Sequence, residues 1–324
     1  MEKTSRSLFS LLASNMFALM SAIVTSFLIP KFLGIEQYSM LKTYTFFANY
    51  IPVLQLGIAD GMYLKYGGVE YTSIDRRKLK TELVFLTILQ AAFSLILLIF
   101  SLSINDQAVL LVSVSVVPSN IINVFRLLFQ ATGRFRQYSR VLLLDSILRV
   151  ISTVILIFVF QVTIAFFFMI SLTLIQCVVA LVILANAIDI FSVPRFEKLL
   201  SAERFDLIRS GLPIMLGNLS SMLFYSLDRW FVKILLRVED FAYYSFAVSM
   251  MSMILILVES VSATFYPMLS RRYTEISLLR TLKTYLLILG TFAGTAYFGF
   301  DLIVNWILTD YLPSLDVIAI LFAG

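Results

Sequence analysis

Lys42, Asn49 and Asp60 lie seven and eleven residues apart within one hydrophobic run, 37–66. At 100° per residue in a helix, all three fall within about 20° of one line. A charge placed in hydrocarbon costs about 2.5 to 3.5 kcal/mol on insertion scales, so such a stripe must face other protein or a watery cavity. It suggests a route for something polar.

Other hydrophobic runs carry comparable faces. Asn15 and Ser26 share a line in the first; Asn120, Asn123, Arg126 and Gln130 form a stripe in the fourth. Asn218, Ser221, Tyr225 and Asp228, with Arg229 beside them, follow in the seventh, and Ser245, Ser249, Ser252, Glu259 and Tyr266 in the eighth. Helices one, two, four, seven and eight are therefore expected around a central cavity, with three and six against lipid or neighbours. For a neutral Ser, Asn or Gln, simple helix-to-helix packing is the competing explanation. Asp145 and Arg149 stand at i and i+4, the spacing of an ion pair within one helix. Lys42 and Arg126 have no acid three or four positions away, which leaves them unpaired or paired across helices with Asp60 or Asp228. Pro52, Gly57 and Gly61 interrupt helix two, and Pro213 and Gly217 loosen helix seven.

These faces require a membrane frame, and composition supplies it. The 324 residues are 60% hydrophobic and 14% charged, with mean hydropathy +0.93, far beyond a soluble globular protein. Runs long enough to cross the bilayer as helices are 8–33, 38–66, 81–104, 108–131, 141–160, 163–187, 207–236, 241–270 and 282–308. A tenth begins near 313 and is incomplete at 324. The expected fold is an all-α polytopic membrane protein with nine complete transmembrane helices and part of a tenth. The first run has a basic flank but is too long for a signal-peptide core, so it reads as a retained helix.

Basic residues gather on alternate connections. One side has Lys3 and Arg6, Lys65 to Lys80, Arg134 to Arg140, Arg195 to Arg204 and Arg271 to Lys283; the other has only Lys31, Lys233 and Arg237. The positive-inside rule puts the N-terminus in the cytoplasm, and the net charge of +5 reports topology and anionic lipid rather than nucleic acid. A weak repeat at an offset of 206 matches Tyr38-Ser39 with Tyr244-Ser245, Lys31 with Arg237 and Lys65 with Arg271. The expected organisation is a six-helix lobe over 1–187, a cytoplasmic amphipathic linker over 188–206 and an incomplete second lobe over 207–324.

With no histidine, His-containing zinc sites and histidine proton relays are excluded. Cys177 is alone, so no intrachain disulfide forms. Lys65-Tyr66-Gly67-Gly68 lacks the spacing of a phosphate-binding loop, and the outer connections are too short for a catalytic domain. No enzyme activity, cofactor or metal is expected; a secondary transporter remains.

Lys31-Phe32-Leu33-Gly34 with Tyr38, Leu56-Gly57, Gly211-Leu212-Pro213, Leu227-Asp228-Arg229, Tyr244-Ser245 and Pro267-Met268-Leu269-Ser270-Arg271 together resemble the polysaccharide biosynthesis, or O-antigen flippase, family. That family shares a superfamily with the multidrug and toxin extrusion exporters. The resemblance implies two rocking lobes that move undecaprenyl-diphosphate-linked oligosaccharide across a bacterial cytoplasmic (inner) membrane, for O-antigen, lipopolysaccharide, capsule or exopolysaccharide synthesis. It implies lipid-linked oligosaccharide and membrane lipids as partners, with polymerase and chain-length proteins beside them. Lys42, Arg126, Arg229 and Arg149 would then meet the diphosphate, and Asp60, Asp228, Glu259 and Asp145 would carry a coupling ion or balance charge. Asn15, Asn49, Asn120, Asn123, Asn218 and Tyr225 would line the cavity. A cation-coupled drug antiporter of the same superfamily, and a non-transporting fragment or scaffold of a polysaccharide assembly complex, are the alternatives.

Overall fold

The structure, a computed structural model, describes the backbone of residues 2–194, 197–199, 201–272 and 276–323. Side chains are described for 13–194, 197–199, 201–255, 283–284, 286–288, 290–291 and 294–322. Regular structure among these residues is helical throughout. The helices are α1 (Glu2–Phe32), α2 (Ile35–Ala48), α3 (Ile58–Tyr66), α4 (Arg76–Ile104), α5 (Gln107–Ala131), α6 (Phe135–Val154), α7 (Ala165–Asn186) and α8 (Ile188–Phe191). After them come α9 (Ala202–Phe224), α10 (Leu227–Leu235), α11 (Val238–Arg272), α12 (Ile276–Ile307) and α13 (Ser314–Ala323). Among the described residues six segments are long and apolar enough to cross a membrane: Ala13–Phe32, Arg76–Ile104, Gln107–Ala131, Phe135–Val159, Ala165–Asn186 and Ala202–Phe224. The chain is a multi-pass helical membrane protein.

Short connections follow from local chemistry. Asn105, at φ 53°, ends α4 in the left-handed region that Asn tolerates. Asp106 then accepts hydrogen bonds from the backbone N–H groups of Ala108 and Val109 at 2.8 and 3.1 Å, opening α5 at once. Asp75 caps α4 in the same way through the N–H of Arg77 at 2.9 Å.

The expected second helix is not continuous. It runs as α2, a 3-10 turn over Ile51–Gln55, and α3. Pro52 falls in the first turn of the 3-10 segment, where its missing N–H costs nothing, whereas a continuous α-helix would lose a hydrogen bond there. Leu56 and Gly57 then turn left-handed, at φ 51° and 77°. Lys42, Asn49 and Asp60 consequently do not keep one helical phase. The expected seventh helix is divided too: α9 begins at Ala202, inside the predicted linker, and stops at Phe224 before α10.

The chain forms two compact units, 1–14 with 40–228 and 15–39 with 229–324. The first unit is built on a core that includes Ile58, Met62, Leu79, Leu86, Val124, Phe125, Val179 and Leu207, contributed by α3, α4, α5, α7 and α9. A triangle of hydroxyls inside it joins α2, α5 and α7: Tyr44 lies 3.0 Å from both Ser115 and Thr173. In the second unit α11 packs on α13. Tyr311 is surrounded there by Tyr38, Tyr243 and Phe246, with ring centroids at 5.4, 6.2 and 4.8 Å.

Candidate functional site

The two broken helices meet within the first unit. Tyr50, at the start of the 3-10 turn, lies 2.7 Å hydroxyl to hydroxyl from Ser226, in the gap between α9 and α10. Ser226 also donates back to the Met222 carbonyl at 2.6 Å. Below this contact α3 and α9 touch backbone to backbone. A Cβ on Gly57 would lie 2.6 Å from the Gly211 carbonyl carbon and the Leu212 nitrogen; a Cβ on Gly61 would collide with the Leu207 carbonyl, and one on Gly211 with the Gly57 carbonyl. Gly217, by contrast, faces open space.

Buried amides hold the break in helix two open. Gln55 Nε2 donates to Asn120 Oδ1 at 2.5 Å, and Asn120 Nδ2 donates to Gln90 Oε1 and, at 3.5 Å, to the Ile51 carbonyl. Gln90 Nε2 donates to the Leu54 carbonyl at 2.9 Å. All three side chains are 1% exposed. Because a 3-10 turn leaves carbonyls without α-helical partners, these amides supply the donors that lipid cannot. Asn120, expected along an open cavity, is therefore committed to this network.

The remaining predicted residues are dispersed. Arg126 on α5 is half-buried; it donates to the Tyr138 hydroxyl at 2.9 Å, with its guanidinium 5.1 Å from that ring, and it makes no ion pair among the described residues. Asp60 is half-buried in the first turn of α3, where a helix N-terminus favours negative charge, and it too has no ion pair among the described residues. Arg149 donates to Asp145 at 2.8 Å, so these two satisfy each other. Lys42 on α2 and Asn123 on α5 are half-buried, while Asn49, Asn218, Tyr225 and Asp228 are exposed. Asn15 and Arg229, in the second unit, are half-buried. Glu259 lies outside the described side chains.

Sequence reasoning missed a cluster of buried charges beside the expected inner connections. Glu82 is 1% exposed on α4; it accepts from Lys65 Nζ at 2.6 Å and from the Tyr66 hydroxyl at 2.8 Å. Lys80 donates to the carbonyls of Phe191 and Val193 at 3.0 and 2.7 Å, tying α4 to the end of α8. Arg204, 2% exposed, donates to Glu197 at 3.0 Å and Ser201 at 2.7 Å. Lys65, Lys80 and Arg204 stand in the sequence as solvated topology charges, yet Lys80 and Arg204 are buried and clamp the linker against α4 and α9, while the exposed Lys65 joins α3 to α4. Lys80 and its two carbonyl partners stand 111 and 113 residues apart and Lys65 and Glu82 seventeen, so no local spacing signals them, whereas Arg204 finds Glu197 seven residues away and Ser201 three.

No family model and no curated protein matches the chain. Two solved structures resemble it: a crystal structure of a MATE protein in complex with Br-NRF, and an inward-facing multidrug resistance MATE family transporter of the MOP superfamily. The first has 18% identity and a TM-score of 0.49, covering 96% of this chain and 76% of that one. The second has 15% identity and a TM-score of 0.49, covering 93% and 75%. Likeness of this degree assigns neither a family nor a cargo.

Proposed function

We propose that the chain is a secondary transporter of the flippase type, moving undecaprenyl-diphosphate-linked oligosaccharide across a bacterial inner membrane with its N-terminus in the cytoplasm. The observation that carries this reading is the pair of discontinuous helices joined at their breaks by Tyr50 and Ser226. Broken helices at membrane depth are tolerated where they line a pathway, and they free backbone groups for a polar cargo. Arg126 orients the choice of cargo. A half-buried guanidinium that donates to a neutral phenol retains donors for a diphosphate. Lys42, in the same unit, is assigned the same ligand, and the Arg149–Asp145 pair a structural part.

Arg126→Ala is expected to abolish complementation of a flippase-deficient strain while membrane insertion stays normal, and Arg126→Lys to restore part of it. Full complementation by Arg126→Ala would falsify the anion-reading role. The drug-antiporter reading has its own support in Asp60, a half-buried carboxylate without an ion pair among the described residues. Loss of cationic dye efflux in Asp60→Asn, with surface polysaccharide unchanged, would favour that reading.

A further inference from the structure

A cavity of about 390 Å³ opens within the first unit, where the inner ends of α5, α6 and α7 converge on Tyr71. Its polar lining is Tyr71, Arg134, Gln137, Arg140 and Asn186, and no Asp or Glu among the described residues lines it. The rest of the wall is apolar, with Phe125, Val141 and Val182 among its residues. Arg140 and Val182 are exposed at its edge. The Arg134 guanidinium carbon sits over two rings, 3.9 Å from the Tyr71 centroid and 5.3 Å from that of Phe129. Stacking uses the faces of a guanidinium and leaves its in-plane N–H donors for an anion. Gln137, oriented so that both groups are satisfied, accepts one of them at 3.2 Å. Asp189, the nearby carboxylate, is occupied outside the cavity by Tyr71 at 3.4 Å and Arg76 at 3.5 Å.

We propose that this cavity is a binding site for the phosphate headgroup of an anionic phospholipid, independent of the transported cargo. Two cations without a counter-carboxylate call for an anion, and the apolar wall beside them calls for a chain attached to it. A cavity near the small end of ligand-pocket volumes, about 300 to 1,000 Å³, takes a headgroup and its first methylenes and leaves the tails in the bilayer. The arginines stand on the side that collects basic residues, the level of inner-leaflet headgroups.

The test uses the full chain in detergent micelles, with its thermal midpoint followed as dioleoyl-phosphatidylglycerol, dioleoyl-phosphatidylcholine or inorganic phosphate is titrated in. Phosphatidylglycerol alone should raise the midpoint. Arg140→Gln, exposed and without an ion pair among the described residues, should weaken its apparent affinity about tenfold, the loss of one charge-assisted contact. Arg136→Gln, an exposed neighbour outside the lining, should leave affinity unchanged. An equal response to phosphatidylcholine, a matching response to phosphate, full affinity in Arg140→Gln or equal loss in Arg136→Gln would each overturn the proposal.

Discussion

Asn120 holds two other buried amides, so its loss removes more than one hydrogen bond. In Asn120→Ala, Gln55 and Gln90 each keep a buried polar atom without its partner. At about 1 to 3 kcal/mol for an unsatisfied buried group, the expected cost is about 2 to 4 kcal/mol. Asn123→Ala, three residues along the same stripe and only half-buried, should change stability by no more than about 0.5 kcal/mol. Denaturant unfolding in mixed micelles compares the two, and equal effects would remove the network from the account. Spacing alone made these asparagines equivalent, since helical phase tells which side a residue faces and not what stands opposite. The Asp145–Arg149 pair was legible because both partners sit within one helical turn. Glu82 with Lys65, and Arg204 with Glu197, were not, because their meeting depends on how α4, α3, α9 and the linker pack.

At the scale of elements, the crossing of α3 and α9 depends on glycines that allow backbones to touch. Gly61→Ala or Gly211→Ala forces the helices apart at a point where the obstructing atoms are backbone and have no rotamer to escape into. Each is expected to cost about 3 kcal/mol, the upper range for overpacking, and to lower the thermal midpoint of the detergent-solubilised chain by several degrees. Gly217→Ala meets nothing within 4 Å and gains helix propensity, so it should raise stability by up to about 1 kcal/mol. Size-exclusion chromatography after graded heating separates these outcomes; a neutral Gly61→Ala would mean that α3 and α9 do not make this crossing. Pro52 and Gly57 marked the break in helix two correctly, because proline and left-handed glycine act locally. Gly217 was read as a loosening residue with Pro213, and the helix in fact continues past both to Phe224. The division of the seventh span has no Gly or Pro at it, only Tyr225 and Ser226, whose hydrogen bonds lie partly on another helix.

Across the whole molecule, membrane class and helical architecture were the most legible properties, since hydropathy is summed over every span and one mistaken residue changes little. The compact units were less so: residues 15–39 group with 229–324, a pairing between distant segments that composition does not encode. Orientation rests on another summed property, the clustering of basic residues on alternate connections, and it has a direct consequence. Ser103, at the end of α4, and Thr72, in the connection before it, are both exposed and flank one span. In a Cys177→Ser background, Ser103→Cys is expected to react with a membrane-impermeant maleimide on intact cells, and Thr72→Cys only after the membrane is opened. Cys177 must be removed because it is the sole native thiol. The reverse labelling pattern would invert the topology; Lys80 and Arg204 would then be charges retained for the buried clamp and not for orientation. The expected pattern would let the same residues serve both ends, since a clamp built from lysine and arginine also biases its side of the membrane toward the cytoplasm.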